Sequence, residues 1–134
     1  MSERKYFTLE QANRTLPLVK RVVGDLVSEY ALWKEHMRRY EVLSAAGSTE
    51  ETAEQRATRH DAQEIAKRIS GYVEELTAVG CLLKGFDDGL VDFYGKREGD
   101  DVFWCWKLGE SRISHWHELN AGFAGRRPLD SEPL

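Results

Sequence analysis

The sequence predicts an α+β protein: a long antiparallel two-helix hairpin preceded by a short helix, with a small antiparallel β-element in the C-terminal half. Three observations predict it. Residues 8–79 carry apolar groups in steps of three and four, the spacing of one helix face. The character changes at Gly80, after which Gly, Trp and Phe crowd residues 81–127. In that second stretch bulky groups alternate sides with a period of two, as strands do. At 134 residues the chain is expected to be a single domain, with 8–79 as hairpin, 81–127 as β-rich segment and 128–134 as tail.

The first helix signal is Thr8-Leu9-Glu10-Gln11, which fits a capping box in which Thr8 and Gln11 satisfy free amides. Pro17 cannot sit inside a helix without losing a hydrogen bond, but suits a first turn. A short helix is therefore expected over 8–14 and a long one over 16–45. The seam of the long helix is Leu16, Val19, Val23, Leu26, Tyr30, Trp33, Met37 and Tyr40. Ala45-Ala46-Gly47-Ser48-Thr49 breaks it. A second helix over 50–79 has its seam at Ala62, Ile65, Ile69, Tyr72, Leu76 and Val79.

So short a link makes the helices antiparallel neighbours. Leu16 should then face Val79 and Leu26 face Ile69. Towards the tip, Trp33 should face Ala62, Met37 face Thr58 and Tyr40 face Gln55. Large apolar groups thus meet small or polar ones. Either they pack large on small within one chain, or Trp33, Met37 and Tyr40 form a partner or dimer face.

Gly80 suits a helix C-cap. Residues 81–84 read as a short strand and 85–89 as a turn. Strands follow at 90–94 and 102–108, joined by a loop over 95–101. Val91 and Phe93 share one face, and Leu90, Asp92 and Tyr94 the other. Val102, Trp104, Trp106 and Leu108 share a face opposite Phe103, Cys105 and Lys107. One face should pack on the helices and the other under the C-terminal segment.

A formal net charge of −4, with 41% hydrophobic and 31% charged residues, suits a soluble domain and argues against general nucleic-acid binding. Lys34, Arg38, Arg39, Arg56 and Arg59 are interleaved with Glu35, Glu41 and Glu54, so they read as a solvated face. No apolar run approaches the roughly 18 residues of a membrane span, and the start has no apolar signal-peptide core. A cytoplasmic protein with Cys81 and Cys105 as free thiols is expected.

The polar residues of the second half supply the candidate site. Asp92, Lys107 and Glu110 lie on or beside neighbouring strands, where Asp92 and Lys107 could form a cross-strand pair. His115-Trp116-His117-Glu118 is the next cluster. In a strand, residues two apart point the same way, so His115 and His117 could reach one metal; in a helix they would diverge by about 200°. Two His are an incomplete site that needs a third ligand from Glu110, Asp92 or Cys105, so a structural His117 hydrogen-bonded to a carboxylate beside Trp116 is the favoured reading, and the sequence alone commits to no metal and no cofactor. Arg126, after Gly122 and Gly125, could fork onto an anion with Arg127 beside it, or the two could close a turn and pair with acidic surface groups such as Glu110 or Glu118. Cys105 in an apolar strand reads as core rather than nucleophile. Among known loops and elbows, neither GxxxxGK[ST], GxGxxG, GxSxG nor HExxH is present.

The opening Tyr6-Phe7-Thr8-Leu9-Glu10-Gln11-Ala12-Asn13 with Leu16-Pro17-Leu18, and the strings Gly89-Leu90-Val91-Asp92-Phe93, Cys105-Trp106-Lys107-Leu108-Gly109-Glu110, Trp116-His117-Glu118 and Gly122-Phe123-Ala124-Gly125-Arg126, resemble the bacterial domain-of-unknown-function family numbered 2203. The resemblance spans residues 6–129 and implies no activity, substrate or catalytic residue.

The leading expectation is a cytoplasmic, non-catalytic interaction module that self-associates through its hairpin as a homodimer, with a further protein partner open and membrane and nucleic acid disfavoured. The alternative is a small anionic-ligand or metal-binding domain, with enzymatic activity left open, using Asp92, Lys107, Glu110, His117, Glu118 and Arg126.

Overall fold

The computed structural model describes residues 4–45, 47 and 49–129. Ala46 and Ser48 of the expected link and residues 130–134 of the expected tail lie outside the described residues. Helix α1 spans Leu9–Ser44 and α2 spans Ala53–Val79. Five strands follow: β1 Leu82–Gly85, β2 Leu90–Arg97, β3 Asp100–Lys107, β4 His115–Glu118 and β5 Arg127–Pro128. They form one antiparallel sheet in chain order, with a 3-10 turn at Phe123–Gly125 before β5. The α+β architecture is the expected one.

The first helix differs from expectation in one respect. Thr8 caps it as predicted, its hydroxyl accepting from the Gln11 amide at 3.0 Å. The expected break at Pro17 is absent, and the short and long helices are one. Pro17 removes the rung to Asn13. Burial on both sides outweighs that loss, since Ala12, Leu16, Val19 and Val22 all enter the same core. Asn13 adds a second tie, its Oδ1 accepting from the Ile113 amide at 2.8 Å. That bond fastens the helix to the segment entering β4.

Thr52 caps α2 with a second capping box through Gln55, and Gly80 ends it in the left-handed region at φ 105°. The helices pair close to the expected register: Arg39 bonds Glu54 at 2.7 Å and Arg68 bonds Glu29 at 3.1 Å. Trp33, Met37 and Tyr40 are half-buried, while Gln55, Thr58 and Ala62 beneath the tip are buried. Trp33 stacks on Tyr30, centroids 5.9 Å apart, and the Tyr40 hydroxyl donates to Glu51 at 2.8 Å.

The expected loop over 95–101 is instead a two-residue turn. Arg97 pairs with Asp100, and Glu98 and Gly99 both take positive φ, 53° and 86°. Positive φ at both central residues matches the right-handed twist of a hairpin. The tight turn lengthens both strands and fixes their register, placing Asp92 opposite Cys105 and Leu90 opposite Lys107.

The sheet has two unlike faces. Val91, Phe93, Val102, Trp104 and Trp106 lie in one buried cluster with Leu16, Val19, Val23, Leu26 and Leu76 of the helices. Both indole N–H groups are satisfied there, Trp104 donating to the Phe7 carbonyl at 2.8 Å and Trp106 to that of Glu110 at 2.9 Å. Each side chain so buried contributes on the order of 2–3 kcal/mol. The other face turns away from the helices and carries Asp92, Phe103, Cys105, Lys107, His115 and His117. Among the described residues no helix is long and apolar enough to cross a membrane.

Candidate functional site

Asp92, Cys105 and His117 come from β2, β3 and β4, and antiparallel pairing alone brings them together. Asp92 is opposite Cys105, and His117 is opposite Phe103, one pleat along on the same face. One donor atom from each lies within 4.8 Å of the others, and all three residues are buried. They form the floor of a cleft of about 250 Å³, whose walls include Lys84, Leu90, Leu119, Gly122 and Phe123.

His117 is held at both ring nitrogens. Nδ1 lies 2.7 Å from the Glu118 carbonyl oxygen. That oxygen can only accept, so Nδ1 carries the hydrogen. Nε2 lies 3.0 and 3.1 Å from the two carboxylate oxygens of Asp92. One further proton therefore sits between Nε2 and the carboxyl group. Burial raises the Asp92 pKa above its ordinary value, and the His117 charge and hydrogen bond, Cys105 and the Lys84 charge oppose the rise. Burial likewise pushes the Cys105 thiol up to about 12, with Asp92 adding to the shift. A thiol so protonated is no nucleophile at neutral pH.

The other predicted residues divide. Glu110 and Arg126 form a second, half-buried lock, Arg126 Nη2 lying 2.9 and 3.1 Å from the two carboxylate oxygens. Glu110 also accepts from the Lys107 amide at 2.7 Å, and Arg126 donates to the Cys105 carbonyl at 3.3 Å, so the lock braces the end of β3. The buried Arg126 Nε meets no acceptor among the described residues. His115 Nδ1 faces Ser114 Oγ at 3.0 Å, with Glu110 3.7 Å away. The two histidines thus share a face but attend different carboxylates.

The cross-strand pairing of Lys107 with Asp92 is not formed. The register sets Lys107 opposite Leu90, and its ammonium stands 5.4 Å over the Phe123 ring. Glu118 is apart from the cleft, because its register partner is Val102 on the helix-side face; it lies 3.9 Å from Arg127. Cys105, expected as core and named among three possible third metal ligands, enters the cleft, and so do Lys84 and Phe123, which were not singled out as ligand-binding residues. The parity of 103, 105 and 107 along β3 was the available signal for Cys105. Lys84 and Phe123 depended on a bulge after Leu83 and on the 3-10 turn, which no periodicity announces.

The family model described as Uncharacterized conserved protein (DUF2203) matches residues 5–129. The chain belongs to the DUF2203 family. The match includes every residue of the cleft and of the Glu110–Arg126 lock. No curated protein and no solved structure matches the chain. The outer face of this DUF2203 member gathers one imidazole nitrogen, one carboxylate and one thiol at the cleft.

Proposed function

We propose that this protein is a metal-binding domain that holds a divalent transition ion, zinc above all, on Asp92, Cys105 and His117. The observation that carries the reading is the convergence of three unlike donors within 4.8 Å on the cleft floor, with the other His117 nitrogen tied to a backbone carbonyl. Metal-bound histidines are oriented by such a bond, which leaves the second nitrogen as the ligand. A mixed N, O and S set suits Zn²⁺. Tetrahedral zinc with bonds of about 2.0–2.3 Å separates its donors by roughly 3.3–3.8 Å, so shifts of about an ångström close the site. Zinc would displace the shared Asp92–His117 proton and the Cys105 proton. A reducing, cytoplasmic setting, which two free buried thiols favour, keeps Cys105 available as a ligand.

The test is competition of the apo protein with a chromophoric chelator for Zn²⁺. One equivalent should bind, and His117→Ala or Cys105→Ser should weaken it by more than about 100-fold, beyond the loss typical of outer-shell partners. Uptake untouched by both substitutions refutes the reading.

Self-association through the hairpin is the second reading. Its support is apolar surface on α1, where Trp33 and Met37 stay half-buried and Val42 is 66% exposed. Sedimentation equilibrium tests it: a dimer that Trp33→Ala dissociates with its helicity retained upholds it. A monomer at all concentrations, merely destabilised by the substitution, makes Trp33 ordinary packing.

A further inference from the structure

Resting on the metal reading above, we infer that the ion keeps one coordination position open to the cleft and that this position takes a small carboxylate bearing an apolar substituent. Among the described residues Asp92, Cys105 and His117 are the whole donor cluster. Three protein ligands and an exchangeable fourth position distinguish reactive zinc sites from closed structural ones. The cleft lies on the open side, so the fourth ligand arrives from outside.

The charge of the site selects an anion. A divalent ion with one carboxylate and one thiolate is neutral. Lys84 on the cleft wall, its ammonium 4.8 Å over the Phe103 ring on the same outer face, then leaves the surroundings positive. Lys107 and Arg126 stand over the Phe123 ring at 5.4 and 4.8 Å, and Glu110 neutralises Arg126. The walls select the rest of the ligand. Leu90, Leu119 and Phe123 line the cleft, and Leu119 and Phe123 are both exposed. Inorganic phosphate would leave that apolar surface wet, whereas a carboxylate on a short hydrocarbon or a ring covers it. At about 250 Å³ the cleft falls below the 300–1,000 Å³ of sites for drug-sized ligands, which limits the substituent to about one ring.

The experiment uses the full chain loaded with Co²⁺ and titrated with benzoate, acetate and inorganic phosphate. A near-ultraviolet thiolate-to-cobalt band reports binding through Cys105, and the visible d–d bands report the open position. Benzoate should change the visible bands saturably and bind more tightly than acetate or phosphate. Lys84→Ala should weaken benzoate by about two- to fivefold, as one exposed charge contact is lost. Phe123→Ala should bring benzoate down to the level of acetate. A cobalt protein whose visible spectrum ignores all three anions overturns the open position while leaving the metal reading intact. Phosphate binding tighter than benzoate overturns the carboxylate class. The absence of any thiolate band defeats the metal reading itself.

Discussion

Asp92→Asn and His117→Ala should part company in stability, and the proton count at the pair says by how much. In the metal-free protein the Asp92 side chain is 5% exposed and that of His117 2%. His117 Nδ1 gives its hydrogen to the Glu118 carbonyl, so one proton remains for the contact between Nε2 and Asp92. An asparagine amide supplies that proton at unchanged size. It removes a buried charge while keeping the hydrogen bond, so Asp92→Asn should lie within about 1 kcal/mol of the parent. His117→Ala leaves the carboxylate buried without its partner, which costs about 3–5 kcal/mol, and removes a ring packed 5.4 Å from Phe103. Domains of this size are stable by only about 5–15 kcal/mol, so the loss is a large share. The assay is urea unfolding followed by tryptophan fluorescence, with EDTA present, at pH 7. Burial raises the folded pKa of Asp92 above the ordinary 3.8. The folded state therefore holds the proton more tightly, and this group's contribution is full below 3.8 and lost as pH rises through the folded value. The deficit of His117→Ala should accordingly shrink on acidification. With EDTA left out, free Zn²⁺ at a thousandfold its Kd should raise the parent by about 4 kcal/mol and Asp92→Asn by far less. Equal losses for the two variants, or a loss under about 1 kcal/mol for His117→Ala, would refute the reasoning.

Three further outcomes follow from the fold. Gly95→Ala would drive a Cβ into the indole of Trp104, whose N–H is bonded to the Phe7 carbonyl. Overpacking and a lost buried bond together should cost about 2–4 kcal/mol in urea unfolding, and a cost near zero would show that Trp104 can shift freely. Glu98→Gly should stabilise by about 0.5–1 kcal/mol, since Glu98 holds φ 53° in the two-residue turn; destabilisation would mean its side chain matters more than its backbone. At the hairpin tip, hydrogen bonds from Arg59 and then Tyr40 bring the Glu51 pKa down to about 2. A depressed carboxylate stabilises above its unfolded pKa and loses that as pH falls through the folded one. The Tm gap between parent and Arg59→Ala should thus be open at pH 7 and close between pH 4.5 and 2; a gap that does not vary with pH makes the Glu51 contact irrelevant to stability.

The helices were legible because their signals are local. Thr8 with Gln11, the seam from Leu16 to Leu26 and Gly80 each act within one or two turns, and each is where the sequence places it. The capping box at Thr52 and Gln55 has the same form and was equally readable. Pro17 misled because propensity is local while burial is not: the core beneath Leu16 and Val19 holds the helix through the missing bond. The face assignments of β2 and β3 were correct, since a period of two survives any error in strand ends. The pairing of Asp92 was not readable, because it depends on the turn, and Glu98 is a poor advertisement for a left-handed residue. Lengthening the turn to a loop loses the register. With it goes the meeting of Asp92 with Cys105 rather than Lys107.

That register matters for function because the groups it joins are costly where they stand. Position 92 lies between Val91 and Phe93, both fully buried, and position 117 beside Trp116. An apolar residue at each would fill the outer face, and replacing buried ion pairs with apolar groups is often neutral or stabilising by about 1–4 kcal/mol. A carboxylate, an imidazole and a thiol gathered there are thus poorly accounted for by stability. A pair pinning β2 to β4 would have used Asp92 and His117 alone. The thiol adds little to such a pin, being protonated and a weak hydrogen-bonding group. As a ligand, it is the softest donor of a transition-metal set and completes a triangle open towards the cleft. On this view the helical core on the opposite face is the support. Phe93, Trp104 and Trp106 fix the three strands, so that donors from separate strands stay within bonding reach of a single ion.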